Sequence, residues 1–233
     1  MNRVPFVLLD HLPDPGHRFQ PDRNQLHHLL RVLRLKQGQE LRLLDGRGHS
    51  ALASLQLAGS HAELLVESVD TLPGPFPELE AWLPVIRESR LEVAVEKLVE
   101  LGVSRLRLYT SERTGDKGRT PDIRRLERIR QAAMEQCGLA WTPPLDGPLS
   151  LNELLAHERL PLLLADPEPF GDLPRPTHDA PGLALLAGPE GGFSPGERET
   201  LRARAQCAIS FGPTILRAET ALLALAVRVR STP

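Results

Sequence analysis

Lysine is nearly missing from this chain. Its 233 residues include 28 Lys+Arg, but the lysines are only Lys36, Lys97 and Lys117. A high-GC genome writing arginine for lysine accounts for the ratio, though not for where the arginines cluster. Cysteine is as sparse. Cys137 and Cys207 both sit in apolar segments, and without a framework of paired cysteines a reducing cytoplasm is the expected compartment. No run is long enough to span a membrane, and the apolar stretch within Met1–Asp10 is too short for a signal peptide. Several motifs are missing as well. No Gly-Lys-Ser/Thr marks a phosphate loop, no GxGxxG a dinucleotide site, and no HExxH or Cys-x-x-Cys a metal. A Ser-His-Asp signature is also lacking, which argues against a nucleotide-binding hydrolase. His27 and His28 are adjacent and so point to different faces; no metal is expected.

What is present is an ordinary globular composition, 41% hydrophobic and 25% charged. The length suffices for one large domain or two small ones. The net charge of −2 hides a segregation. Arg105–Arg130 holds nine Lys+Arg against four Asp+Glu, whereas Gln131–Leu201 holds three against eleven. Arginine grips phosphate bidentately and stacks on bases, so the cluster hints at nucleic acid.

The first seventy residues look β-rich. Pro21–Leu33 reads as a short helix, and Glu40–Asp45, Ala51–Leu57 and Ala62–Val69 read as strands separated by glycine turns. A small barrel over residues 1–70 fits this pattern. Asp70–Leu79 (DTLPGPFPEL) reads as the linker, taken as residues 71–79. From residue 80 to 233 strands and helices alternate, which predicts an α/β domain with a parallel sheet. Its expected strands are Trp82–Ile86, Leu106–Tyr109, Pro161–Ala165, Leu183–Ala187 and Ala208–Phe211. Its expected helices are Ser89–Leu101, closed by Gly102, one begun by Thr120 at N-cap with Pro121 at N1, and a last one over Ala218–Val229. Ser150–Glu153 and Ser194–Glu197 read as capping boxes.

One stretch needs a reason. LLAGPEGGFSPGE (residues 185–197) leaves an apolar strand through four glycines and two prolines. In an α/β sheet, ligands lie beyond the carboxyl ends of the strands, where glycines let backbone approach them. A tight strand-to-helix turn without a ligand is the plainer reading. SFGPTILRAETALLALA (Ser210–Ala226) repeats the pattern and places Arg217 and Glu219 at a helix start. That charged pair reads either as an N-terminal cap or as site chemistry. Two Gly-Pro exits from neighbouring strands would bring both loops to one edge of the sheet.

GPEGGFSPGE together with ILRAETA resembles the 16S ribosomal RNA uridine-N3 methyltransferases of the SPOUT (trefoil-knot) class. VEKLVELGVSRLRLYTSERT (Val95–Thr114), AAMEQCG (Ala132–Gly138) and HLLRVLRLKQGQELRLLDGRG (His28–Gly48) are similar to other parts of that family, in the same order. The resemblance implies a knotted methyltransferase domain behind a PUA-like barrel, S-adenosylmethionine as cofactor, 16S ribosomal RNA of the small subunit as partner, and a homodimer. It implies a cofactor cleft formed by Leu186, Gly188, Pro189, Gly191, Gly192, Phe211, Gly212, Ile215 and Leu216. Uracil N3 must lose a proton before it can accept a methyl group. Arg217 is the candidate to stabilise the resulting charge, and Glu219 or Glu190 to take the proton or orient Arg217. Candidate RNA contacts are Arg87, Arg113, Arg119, Arg124, Arg125 and Arg128, with His28, Arg31 and Arg34 from the barrel. Two positions depart from the family: Leu139 stands where arginine is usual, and Arg87 where lysine is. The alternative from another class is a non-catalytic RNA-binding assembly factor, which would need no cofactor.

Overall fold

The computed structural model describes residues 4–58, 61–114, 120–157, 159–175, 177 and 182–231. Its contacts divide the chain into two compact units. One is Met1–Gly74 with Gln131–Thr142, the other Pro75–Arg130 with Pro143–Pro233.

In the first unit, strands β1 (Phe6–Leu8), β2 (Arg18–Phe19), β3 (Glu40–Leu44), β4 (His49–Ala58) and β5 (His61–Thr71) form one sheet in the order β1-β3-β4-β5-β2. The alternation read from the sequence sets its core. Leu41 and Leu43, Ala51, Ala53 and Leu55, and Leu64 and Val66 all point inward, covered by Leu29. Leu29 lies just beyond helix α1 (Arg23–His27), on the π-helical turn His28–Val32. Asp22 caps α1 through the amides of Asn24 and Gln25. The Glu-Gln-Cys-Gly segment has a structural use here: Glu135 accepts a 3.0 Å hydrogen bond from the Leu8 amide. A side chain at Gly138, whose φ is +80°, would strike the Phe6 ring.

The second unit is built on a wholly parallel sheet of β6 (Glu78–Pro84), β7 (Arg105–Thr110), β8 (Leu145–Ser150), β9 (Leu162–Ala165), β10 (Gly182–Ala187) and β11 (Ala205–Ile209). Their order is β11-β9-β10-β6-β7-β8. Every residue of β10 is buried; each leucine so covered contributes about 1.5–3 kcal/mol. The helices of this unit are α2 (Glu88–Glu100), α4 (Leu151–His157), α5 (Pro195–Arg204) and α6 (Ala218–Arg230), with α3 (Ile123–Cys137) belonging to it as far as Arg130 and to the first unit from Gln131. Arg230 ties α6 to α2 by donating to the carbonyls of Leu101 and Gly102 at 3.2 and 2.5 Å.

Four expectations change. Strand β8 is not legible in LDGPLS; it is an edge strand, where Pro148 removes no needed ladder bond. Helix α3 begins at Ile123, not at Pro121, because Asp122 takes the cap: its side chain accepts from the Arg125 amide at 3.0 Å. Strand β11 ends at Ile209, which leaves Phe211 in the loop beyond it. Strands β10 and β11 are not neighbours, since β9 lies between them.

Candidate active site

The carboxyl ends of β9, β10 and β11 open onto one cleft of about 660 Å³. Its wall on the β10 side is the glycine-rich loop, held at several points. The buried hydroxyl of Tyr109 donates to the Ala187 carbonyl at 2.6 Å, where the loop begins. Burial, and to a lesser degree nearby Glu197, pushes that phenol well above its ordinary pKa. The Gly192 amide closes a turn on the Pro189 carbonyl at 2.8 Å, with Gly192 at φ +67°. The loop ends on the capping box of α5: Glu197 accepts from the Ser194 amide at 2.9 Å, and the Ser194 hydroxyl accepts from the Glu197 amide at 3.2 Å. The same Glu197 carboxylate accepts from the Glu112 amide at 2.8 Å, so it also fastens the loop after β7. Gly191 abuts that second loop. A Cβ there would lie 2.8 Å from the Arg113 carbonyl, so the protein's own backbone is reason enough for this glycine.

Of the residues expected in the cleft, Gly188, Pro189, Glu190, Gly191, Gly192, Phe211, Gly212, Ile215, Leu216 and Arg217 line it. Two do not. Leu186 points into the core beneath the sheet, and the Glu219 side chain lies outside the lining with only 11% of its surface exposed. Arg217 occupies the N-cap position of α6 yet makes no capping hydrogen bond. A cation there opposes the helix dipole, so the helix gains nothing from it. The reading of Arg217 as a simple cap is therefore set aside. Its exposed guanidinium is left to face the cleft.

Three charged lining side chains escaped sequence reading: Arg90, Asp166 and Arg198. Asp166, just past β9, accepts a two-point contact from Arg198 at 2.7 and 3.2 Å and a further bond from the Glu168 amide at 2.8 Å. Burial alone would raise its pKa; the Arg198 donors and that amide outweigh burial and hold it below the ordinary value. Arg90 stands between Glu190 and Glu219. Nothing in local sequence marks these residues, because Asp166 and Arg198 lie 32 positions apart and Arg90 and Glu190 lie 100 apart.

The family described as RNA methyltransferase domain matches residues 74–230, and the one described as RNA methyltransferase PUA domain matches residues 21–67. The chain belongs to the RNA methyltransferase family. It is similar to the ribosomal RNA small subunit methyltransferase E of Synechocystis, with 33% identity over 84% of this chain and 67% of the relative. To the protein of the same name from Mycobacterium tuberculosis it is 30% identical, over 91% of this chain and 86% of that one. Its fold is similar to the crystal structure of a ribosomal RNA small subunit methyltransferase E from Neisseria gonorrhoeae bound to S-adenosyl methionine. There the TM-score is 0.82 and the identity 26%, over 98% of each chain. The expected class, a parallel α/β domain preceded by a PUA-like domain, is the one observed.

For an RNA methyltransferase the basic residues bear on substrate binding. Arg124 and Arg128 are exposed one turn apart on α3, and among the described residues Arg128 donates to the Arg124 carbonyl at 3.4 Å. Arg125 is instead engaged by Glu92 at 2.6 Å. Arg87 is exposed at the N-cap of α2, and Arg113 is exposed in the loop after β7. Arg119 lies outside the described residues. In the first unit Arg31 and Arg34 are exposed and His28 is half-buried; Arg34 adopts φ +54°, a left-handed conformation unusual for arginine. Among the described residues no group of three His, Cys, Asp or Glu could hold a metal, and no helix is long and apolar enough to cross a membrane.

Proposed function

We propose that this protein transfers the methyl group of S-adenosylmethionine to N3 of a uridine in 16S ribosomal RNA of the small subunit. The observation that carries the reading is a guanidinium with no capping duty, Arg217, at the rim of a cleft walled by glycine-rich backbone. The cleft suits the cofactor. Its volume lies within the usual range for small-molecule sites. Gly188, Pro189, Gly191, Gly192, Gly212 and Ile215 offer main chain at its walls, and Phe211, Leu216 and Ala221 an apolar surface for a purine. Leu186 would contribute by its main chain only. When bound, the cofactor supplies an activated methyl group.

The protein's own residues then have two tasks. Arg217 stabilises the negative charge that develops on the uracil as N3 loses its proton. Glu190, which lines the cleft, accepts that proton, whereas Glu219 holds Arg90. Arg87, Arg113, Arg119, Arg124 and Arg128 form the phosphate-binding side, and the PUA-like unit over residues 1–70 adds His28, Arg31 and Arg34. Arg125, engaged by Glu92, contributes less. Family membership supports a knotted topology for the domain over 80–233, action without metal, a homodimer, and a place in the cytoplasm, where such a substrate is made.

One experiment tests the assignment. Methyl incorporation into small-subunit RNA is measured beside RNA titrations at several salt concentrations. Arg217→Ala should cut the methylation rate about a hundredfold or more and spare most RNA affinity. The Arg124/Arg128→Ala pair should do the reverse, flattening the salt dependence by up to about two phosphate contacts and leaving cofactor affinity alone. A chelator should change nothing. Normal methylation by Arg217→Ala would refute the catalytic assignment. Cofactor binding separates this reading from a non-catalytic assembly factor.

A further inference from the structure

Arg90 belongs to no motif, yet it connects three elements of the second unit. It sits in the first turn of α2, lines the cleft, and has 24% of its side chain exposed. On one side it donates to Glu190 of the glycine-rich loop. On the other its Nε lies 3.9 Å from Glu219, in the first turn of α6. The two carboxylates are not equivalent. Glu190 is 43% exposed. Glu219 is nearly enclosed, and its second oxygen has no hydrogen-bond partner among the described residues. A nearly enclosed carboxylate with such an unpartnered oxygen is costly unless a cation stays beside it.

We infer that Arg90 is a positioning residue that latches the glycine-rich loop to the start of α6, so that Glu190 and the loop backbone stand in place before the cofactor arrives. The physics favours arginine. Its planar fork can address two carboxylates at once, whereas the single ammonium of lysine cannot keep the same spacing. Glu219 holds the guanidinium by charge at 3.9 Å, and Glu190 is the part of the loop that it catches. A loop already held loses less freedom when ligand binds, so the latch appears as cofactor affinity. Without Arg90, the enclosed Glu219 would also have no ion-pair partner among the described residues, a separate cost to folding.

The inference rests on the methyl-transfer reading of the same cleft, and the test keeps the two apart. Cofactor affinity is measured by calorimetry with S-adenosylmethionine, RNA affinity by titration, and melting temperature without ligand. The proteins are the wild type, Arg90→Met, Arg90→Lys and the double variant Arg90→Met/Glu219→Gln. Arg90→Met should bind the cofactor about tenfold more weakly with RNA affinity unchanged. Arg90→Lys should lose about threefold. The double variant should regain the melting temperature, because the stranded charge is gone, but not the cofactor affinity. A purely structural role predicts that both recover together, which would overturn the latch, as would full affinity in either single variant. If Arg90→Met does not fold, the lysine and double variants carry the same comparison. A wild type that binds no cofactor would instead defeat the methyl-transfer reading.

Discussion

At the scale of single residues, the site depends on side chains whose partners lie far away in the sequence. Asp166 is the clearest case. Its carboxylate is buried, gripped by Arg198 and reached by Arg202 at 3.4 Å, and its pKa is held below the ordinary value despite burial. A lowered folded-state pKa means that the ionised form adds stability at neutral pH. That stability is fully present above the unfolded value of about 3.9 and disappears as pH falls through the lower folded value. Asp166→Asn should therefore cost about 1–2 kcal/mol at pH 7, allowing for the part-exposed arginines. The gap from wild type should close below about pH 4. Melting curves from pH 7 to pH 2.5 would show it, and a gap independent of pH would refute the assignment. Arg217 was legible because it stands beside a recognisable segment. Asp166 and Arg90 were not, since an isolated acid or base in sequence says nothing about which charge it will meet.

Among the elements, capping chemistry was legible where the cap and its answering glutamate are three residues apart. Ser150–Glu153 and Ser194–Glu197 both form as their spacing predicts. At α3 the segment Thr-Pro-Asp offers two caps in a row, and local propensity could not choose between them. The structure selects Asp122, with Pro121 buried ahead of the helix. Asp122→Ala should cost about 1 kcal/mol, as loss of an N-cap does. Thr120→Ala should stay within about 0.5 kcal/mol, as exposed substitutions away from such features do. Urea denaturation of both variants decides the matter, and the opposite ranking would restore the threonine cap. Strand β8 was hidden for a different reason: its backbone pairing depends on the open edge of β7, not on its own residues.

For the whole molecule, the proposed homodimer has narrower support than the leucine-rich last helix suggests. Ala218, Ala221, Leu222, Leu225, Ala226 and Val229 of α6 are buried within the protomer. Among the described residues, the large apolar side chains left exposed on α6 and in the loop before it are Val227 and Ile215, the latter 91% exposed. Light scattering at micromolar concentration should give twice the protomer mass, and a protomer mass would refute the dimer. The segregation of charge, the change from alternating to continuous apolar strands, and the glycine-rich loop were all written in the sequence. They depend on residue type and spacing within a dozen positions, whereas the grouping of Gln131–Thr142 with the first unit depends on contacts distant in sequence. The order of the parallel strands was not written there either. It sets β9 between β10 and β11 and so brings Asp166 to the cleft. Nor could the sequence tell which of the two glutamates faces the cleft and which is enclosed behind it. Long-range packing decides both, because strand order and burial are settled by surfaces that meet only once the chain has folded.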